Sequence, residues 1–243
     1  MAEIEEVIGR YVHLTVVGEP NRIFYEEAGA GTPLLCVHTS LVRSRQYRHM
    51  LVDPELLQPY RVIAFDLPWH GRSLPPDGWW KQDYRMTTER YSLTVMAFIR
   101  GLGLRRPVVL GCSMAGSLVL ELARSYPDEL GGVIGLSGAA YGVGRFTDWA
   151  TRPDVNAAIA VTAWVYGLMA PQSPLRSRKE VWWIYAKAAC CLYRGTHSST
   201  AKTGISAAAK PRSTPPVAQF ISLPENTTTR APPMNSQTTA KAT

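Results

Sequence analysis

The 243 residues suit one large domain, or a domain with a small insertion, and 46% of them are hydrophobic, which is enough to bury a sizeable core. The formal net charge of +7 comes from the end of the chain: residues 187–243 carry seven Lys or Arg and one acidic residue, whereas residues 1–186 carry 19 basic and 18 acidic residues. A basic tail can contact nucleic acid or a membrane without specificity, and no motif here indicates a specific nucleic-acid partner.

Short apolar segments typical of strands alternate along the chain with segments of helical periodicity. The predicted strands are residues 10–17, 22–28, 34–38, 61–66, 107–111 and 132–137. The predicted helices are residues 44–58, 87–103, 113–126 and about 154–170. Because strands that alternate with helices form parallel sheets covered on both faces, the sequence predicts an α/β fold with a mainly parallel central sheet.

The chain from residue 144 onward departs from this alternation. Residues 144–186 hold a long apolar helix and the run V-W-W-I-Y-A, which a pair of surface helices would explain. Of the last 57 residues, 32 are Ala, Thr, Ser or Pro. This composition buries too little apolar surface to offset chain entropy. We therefore expect a disordered tail over residues 187–243, the later strands of the sheet to be missing, and no strand from about residue 196 onward.

The sequence favours a cytoplasmic protein without a membrane span. It begins M-A-E-I-E-E, without the basic region of a secretory signal peptide. The longest apolar run, 157–170, is shorter than the roughly 20 residues that cross a bilayer. Cys36 and Cys112 lie in apolar segments, where a reduced cysteine packs as a small hydrophobe. No spacing among Cys and His residues is typical of a metal site.

The segment G-C-S-M-A-G at 111–116 lies between a predicted strand and a predicted helix. A Gly-x-Ser-x-small sequence in this context is typical of a nucleophile elbow, in which a serine sits on a tight, strained strand-to-helix turn. The positions two before and two after the serine must be small, and Gly111 and Ala115 meet that requirement. We therefore expect Ser113 to be a nucleophile in a strained backbone conformation. A chance match at a helix start is the alternative.

Two further segments extend the pattern to the preceding strands. His38-Thr39-Ser40 follows one strand, and D-L-P-W-H-G-R-S at 66–73 follows the next. The order of strand, His loop, strand, D-x-P-x-x-G-x-S loop and elbow resembles the α/β-hydrolase superfamily, and the resemblance covers roughly residues 20–186.

The resemblance implies a serine hydrolase that cleaves an ester or similar acyl bond in a small molecule and needs no cofactor. It implies that the backbone N–H groups of Ser40 and Met114 hold the oxyanion formed when Ser113 attacks. Thr39 stands where the family usually has Gly. The implied domains are a hydrolase core over residues 1–143, a helical cap over 144–186 and the tail over 187–243.

The acid and the base of a Ser-His-Asp triad are not evident in the sequence. His38 and His70 belong to loops in which the family uses histidine structurally, so we expect neither to be the base. In the family the acid and then the base follow the nucleophile. Here His197 is the only later histidine, and no strand precedes it. Asp148 and Asp154 come before it, but both lie in the implied cap.

A shift of reading frame near residues 187–196 would explain the missing acid and base. Codons for Phe220–Asn235 can be chosen so that another frame encodes Y-L-T-A-G-E-Y-D-Y-T-C-T-P-D-E, which resembles a family strand ending in the acid loop. The alternative is a divergent disordered tail.

The main functional hypotheses are an ester hydrolase acting through Ser113 and a catalytically incomplete remnant that lacks acid and base. A protein recruited through its basic tail is a third.

Overall fold

The six predicted strands and three of the four predicted helices are present in the structure, a computed structural model that describes residues 4, 6–139, 149, 152–188, 192 and 219–221. The strands are β1 (Ile8–Val16), β2 (Glu19–Ala28), β3 (Thr32–Val37), β4 (Tyr60–Phe65), β5 (Val108–Cys112), β6 (Gly132–Leu136) and β7 (Gln219–Ile221). The α-helices are α1 (Pro54–Leu57), α2 (Thr88–Gly101), α3 (Met114–Ser125), α4 (Ala157–Leu168) and α5 (Leu175–Tyr185).

The strands form one sheet in the order β1-β2-β4-β3-β5-β6-β7. The pairs β1–β2 and β2–β4 are antiparallel, and every other pair is parallel. The predicted α/β fold with a mainly parallel sheet is therefore confirmed. The predicted strands 61–66 and 107–111 lie near the centre, separated by β3, so their carboxyl ends and the loops after them lie at the same edge.

The central strands are apolar on both faces because both faces are covered. Successive side chains of a strand point to opposite faces, so neighbouring residues of β3 belong to two clusters, Leu35 and Val37 to one and Leu34 and Cys36 to the other. Helices α2 and α3 contribute to the first cluster, where Phe98 of α2 stacks on Phe65 with ring centroids 4.3 Å apart. Each such buried apolar side chain stabilises the fold by about 1.5–3 kcal/mol.

The segment 44–58, predicted as one helix, instead forms three short helices. Two are 3-10 helices, Ser44–Tyr47 and Met50–Val52, and the third is α1. Pro54 explains the last break, because proline disfavours helical backbone at the preceding residue and has no N–H to donate. Asp53 is accordingly extended, and its Oδ1 accepts a hydrogen bond from the Glu55 N–H at 2.9 Å, which caps α1.

The prediction that residues after about 196 add no strand to the sheet is wrong. Strand β7 pairs in parallel with β6, with Phe220 opposite Gly135 and Ile221 opposite Leu136. Q-F-I is a short segment with aromatic and β-branched residues inside an Ala/Thr/Ser/Pro-rich stretch, and such residues favour strands. Without it, β6 would leave a row of unpaired backbone groups at the sheet edge. Most of the predicted disordered tail lies outside the described residues.

Helices α4 and α5 lie in the region interpreted as a cap, and they pack against each other. Asn156 caps α4 by accepting a hydrogen bond from the Ile159 N–H at 3.3 Å. None of the helices in the described part of the chain is long and apolar enough to cross a membrane. The boundaries of a core, a cap and a tail stay predictions.

Candidate active site

Backbone strain is concentrated in the loops that follow the parallel strands. Among the described residues, six non-glycine residues have a positive φ, and four of these follow β3, β4, β5 and β6 in turn: Leu41, Trp69, Ser113 and Ser137. Strained conformations of this kind cluster at functional sites. Because ligands of α/β sheets bind outside the carboxyl ends of the strands, this edge of the sheet is the candidate site.

Ser113 occupies the turn between β5 and α3. Its φ of 56° and ψ of −115° lie outside the ordinary regions for a non-glycine residue, a strain of about 1–3 kcal/mol. The Ser113 N–H donates to the Leu136 carbonyl at 2.8 Å, and the Ser113 carbonyl accepts from the Ser117 N–H at 3.0 Å. The predicted position and strain of Ser113 are therefore confirmed, whereas its role as a nucleophile stays a prediction.

Two glycines allow α3 to approach the sheet closely enough for this turn. A Cβ added at Gly111 would lie 2.3 Å from the backbone oxygen of Ala115, and a Cβ added at Gly116 would lie 2.6 Å from that of Leu136. Neither backbone oxygen can move away without shifting the helix or the strand. The small residues of G-C-S-M-A-G are thus required by the geometry of the turn.

His38 crosslinks the loop after β3 to its surroundings. Its Nε2 accepts a hydrogen bond from the Leu67 N–H at 3.0 Å, so Nδ1 carries the proton and donates to the Thr39 carbonyl at 2.8 Å. The Tyr91 hydroxyl donates to the His38 carbonyl at 2.7 Å. Burial lowers the pKa of His38 to about 4. The ring is a neutral structural crosslink, as expected.

Gln46 joins this loop to the serine turn. Its Oε1 accepts a hydrogen bond from the Thr39 N–H at 3.0 Å, and its side chain also hydrogen-bonds the thiol of Cys112, the residue before Ser113. The sequence did not single out Gln46, because a side chain that links two loops is set by tertiary structure. The Thr39 N–H is therefore occupied, and the next amide along the loop is that of Ser40.

The backbone of the His loop accommodates Thr39 without a positive φ at that residue. The left-handed residue of this loop is Leu41, with a φ of 69°. The Ser40 hydroxyl is buried and makes no hydrogen bond with any described residue. The sheet order places both Ser40 and Met114 in loops at the same edge.

The segment 66–73 is a structural turn. The two oxygens of the Asp66 carboxylate accept hydrogen bonds from the backbone N–H groups of Ser44 and Arg72, both at 2.7 Å, and the Ser73 hydroxyl donates to the Asp66 carbonyl at 2.6 Å. A Cβ at Gly71 would lie 2.1 Å from the Asp66 carboxylate. Both carboxylate oxygens are committed to backbone groups, so Asp66 does not orient a base.

His70 is the second buried histidine at this edge. Its Nδ1 lies 3.0 Å from the Pro68 carbonyl, and its Nε2 is buried with no hydrogen-bond partner among the described residues. Its ring centroid lies 4.9 Å from that of His38. Burial, and secondly His38, lower the pKa of His70 to about 3. Two neutral imidazoles thus pack together, since a charge on either would be desolvated and would repel the other.

These two histidines predict acid instability. Each folded-state pKa lies below the value of 6.5 expected in the unfolded chain, so the unfolded chain binds protons that the folded chain excludes. The free energy of unfolding should therefore fall as pH drops below 6.5, by on the order of 3 kcal/mol for each ring by pH 4.

His70→Asn keeps a donor for the Pro68 carbonyl but removes the titrating group, and it should make urea unfolding less dependent on pH between 6.5 and 4. His13→Asn, at an exposed position of β1, is the control and should leave this dependence unchanged. Equal pH dependence in the wild type and His70→Asn would contradict the assignment.

No histidine that pairs with Ser113 is found among the described residues. His38 and His70 are committed as above, and His49 pairs with Glu180 through its Nε2 at 3.1 Å. No histidine in the described ranges makes a hydrogen bond to the Ser113 hydroxyl. His197 lies outside those ranges.

The two acids considered from the sequence are likewise not placed at the turn. Asp154 is fully exposed and forms a two-point ion pair with Arg152, at 2.8 and 2.5 Å. Asp148 lies outside the described residues. Within those residues, no group of three or more His, Cys, Asp or Glu is arranged to hold a metal ion.

Tyr185, at the end of α5, was not among the candidate site residues predicted from the sequence. Burial, and secondly the proximity of Cys112, raise its pKa to about 12. Its side chain is partly buried and packs against the core of the sheet.

Comparison with known proteins supports the architecture. A family model described as the alpha/beta hydrolase fold matches residues 32–165, more than half of the chain. The chain is 28% identical over 155 residues to the 2-hydroxy-6-oxononadienedioate/2-hydroxy-6-oxononatrienedioate hydrolase of Paraburkholderia phymatum, covering 61% of this chain and 51% of that protein. It is 30% identical over 132 residues to the 2-hydroxy-6-oxo-6-phenylhexa-2,4-dienoate hydrolase of Comamonas testosteroni, covering 51% and 42%. The chain thus spans about half the length of these curated relatives.

Solved structures show the same fold. A thermophilic esterase from Thermogutta terrifontis superposes with a TM-score of 0.68 at 21% identity, covering 79% of this chain and 72% of the esterase. An enol-lactonase from Burkholderia xenovorans superposes with a TM-score of 0.67 at 15% identity, covering 80% and 75%. With the sheet order, the strained serine turn and the match over residues 32–165, these comparisons establish that the chain belongs to the α/β-hydrolase fold family.

Proposed function

We propose that this chain carries the nucleophile part of a serine hydrolase site for an ester or similar acyl bond, with Ser113 as the nucleophile. The observation that carries the proposal is the conformation of Ser113, with a φ of 56° at the start of α3. Strain at a non-glycine residue persists only where the surrounding structure imposes it, and here Gly111 and Gly116 are needed to form the turn.

In the proposed reaction, the Ser113 hydroxyl oxygen adds to the carbonyl carbon of the substrate, and its proton passes to a base. The negative charge that develops on the carbonyl oxygen is held by the backbone N–H groups of Ser40 and Met114. The alcohol then leaves with a proton, and water hydrolyses the acyl–serine. The start of α3 supports the charge through its dipole. Occupation of the Thr39 N–H by Gln46 supports Ser40 as the loop donor.

The family and its relatives support the proposed substrate class. The curated relatives described above are named as hydrolases of small dienoate compounds, and the matching structures include an esterase. A small acyl substrate without a cofactor is therefore our proposal, with residues 144–186 as its cap. A cytoplasmic location stays a prediction, in keeping with the free thiols of Cys36 and Cys112.

A catalytically incomplete protein is the second candidate, and a specific observation favours it. The ring nitrogens of His38 and the Nδ1 of His70 bind backbone groups, and both rings are fully buried. A serine without a base is a weak nucleophile. The two candidates share Ser113 and differ in whether a base reaches it.

Labelling with an alkyl fluorophosphonate tests the shared part of both candidates. We expect slow formation of a single adduct on Ser113, because the turn presents this serine to the proposed oxyanion donors. Intact-mass and tandem mass spectrometry measure the adduct and its position. Ser113→Ala should abolish it. Ser117→Ala, one helical turn later, is the matched control and should retain it. An adduct on another serine, or none, would contradict the assignment of Ser113.

A further inference from the structure

Helix α5 is apolar on two sides. Ile184 is buried on its inward side, as a cap helix requires. On its outward side Leu175, Trp182 and Trp183 are 56%, 43% and 37% exposed. A surface helix ordinarily presents charged and polar residues to water. The outward apolar residues therefore need an explanation other than packing against the sheet.

A cavity of about 690 Å³ continues this outward side. It lies between α4 and α5 and is lined by Tyr166, Lys179, Glu180, Trp182 and Trp183. The Glu180 carboxylate forms an ion pair with Arg48 and a hydrogen bond with the Nε2 of His49. Lys179 has no ion pair with any described residue. The walls are thus aromatic, and the uncompensated charge beside them is positive.

Cations surround the exposed indole rings. The Arg45 guanidinium lies 4.8 Å from the centre of the Trp183 ring, and the Lys187 ammonium lies 4.0 Å from it. Arg176 and Lys179 project from exposed positions of α5 itself. We call the set formed by these residues the α5 surface: Arg45, Leu175, Arg176, Lys179, Trp182, Trp183 and Lys187.

The charge of the α5 surface selects among the partners that could cover it. Its four cations are Arg45, Arg176, Lys179 and Lys187, and the carboxylate that lines the cavity, Glu180, is paired with Arg48. A symmetric dimer through this surface would place like charges opposite one another. An anionic surface would meet complementary charge. Tryptophan is enriched at membrane interfaces, and helices that lie in the interface combine tryptophan with lysine and arginine.

We propose that the α5 surface docks this protein onto an anionic lipid surface. Trp182 and Trp183 enter the headgroup region, and Arg176, Lys179 and Lys187 face the lipid phosphates. The attachment is peripheral, since it uses one face of a helix that is too short to cross a bilayer.

Sedimentation of the full chain with vesicles tests the proposal. Binding to phosphatidylcholine vesicles that contain phosphatidylserine should exceed binding to phosphatidylcholine alone. The double variant Trp182→Gln, Trp183→Gln should weaken binding to the anionic vesicles by about tenfold or more. Trp79→Gln with Trp80→Gln is the matched control, because this second adjacent tryptophan pair is 43% and 68% exposed and lies on another segment. It should bind as the wild type does.

A charge variant separates the lipid proposal from its alternatives. Arg176→Gln with Lys179→Gln should lower binding to anionic vesicles by about tenfold or more, since each cation near the surface contributes a factor of about five. Circular dichroism confirms that each variant is folded. The proposal would be overturned if the wild type bound neutral and anionic vesicles equally. It would also be overturned if the two tryptophan double variants lost vesicle binding to the same extent. If the chain dimerises without lipid and the Trp182 and Trp183 changes abolish the dimer, the α5 surface binds a second copy of the chain instead.

Discussion

Turnover of short p-nitrophenyl esters by this chain should remain at a trace level that Ser113→Ala hardly changes. Without a base, a serine hydrolase site retains only binding and oxyanion stabilisation, a residual acceleration of roughly 10³–10⁴ over water. An unactivated hydroxyl contributes little to that residual acceleration. A version in which the alternative frame is restored past codon 186 should regain esterase activity that depends on Ser113.

The measurement is a four-way comparison of initial rates: both frames, each with and without Ser113→Ala. The restored frame is the control for folding and for the nucleophile, because it shares residues 1–186 with the present chain. Ordinary enzyme rates in the present chain that disappear with Ser113→Ala would show that a base is present. His197 would then be the first residue to replace, as the only histidine after the nucleophile.

Gly111→Ala should destabilise the fold by about 3 kcal/mol, at the upper end for a single overpacking change. The added methyl carbon would lie 2.3 Å from the backbone oxygen of Ala115, so either β5 or α3 must move. Urea unfolding followed by tryptophan fluorescence measures the change.

Gly132→Ala is the matched control for this prediction. It makes the same substitution at the start of the neighbouring strand β6, where nothing lies within 4 Å of the added carbon. Its free energy of unfolding should stay within about 0.5 kcal/mol of the wild type. If both variants unfold at the same urea concentration, α3 does not approach β5 as closely as the structure has it.

The parts of the fold that could be predicted from the sequence are those determined by local pattern. Six strands were predicted because buried strands are short apolar runs between turn residues, and the serine turn because its geometry demands small neighbours. The segment 44–58 was predicted wrongly, since its apolar spacing suggested a helix although Pro54 interrupts it. Strand β7 was missed because composition over a long window hides three β-prone residues, and pairing with β6 decides their conformation.

The candidate site was predictable to a similar degree. The resemblance to α/β hydrolases implied a structural role for His38, and the hydrogen bonds from Leu67 and to Thr39 agree with it. Gln46 and Tyr185 could not be found, because each acts through a contact between segments distant in sequence. No periodicity or spacing in the chain records such contacts.

Cys112 bears on how this protein would respond to chemical inhibitors. It is half-buried next to Ser113 and shares Gln46 with the loop that carries Ser40. An alkyl group on its sulfur would displace Gln46 and disturb both segments, so a thiol-directed reagent would act here much as a serine-directed one does. Because burial raises the pKa of Cys112, such alkylation should be slow at neutral pH and faster in alkaline solution. Inhibition by a thiol-directed reagent would therefore not by itself assign the nucleophile to Cys112.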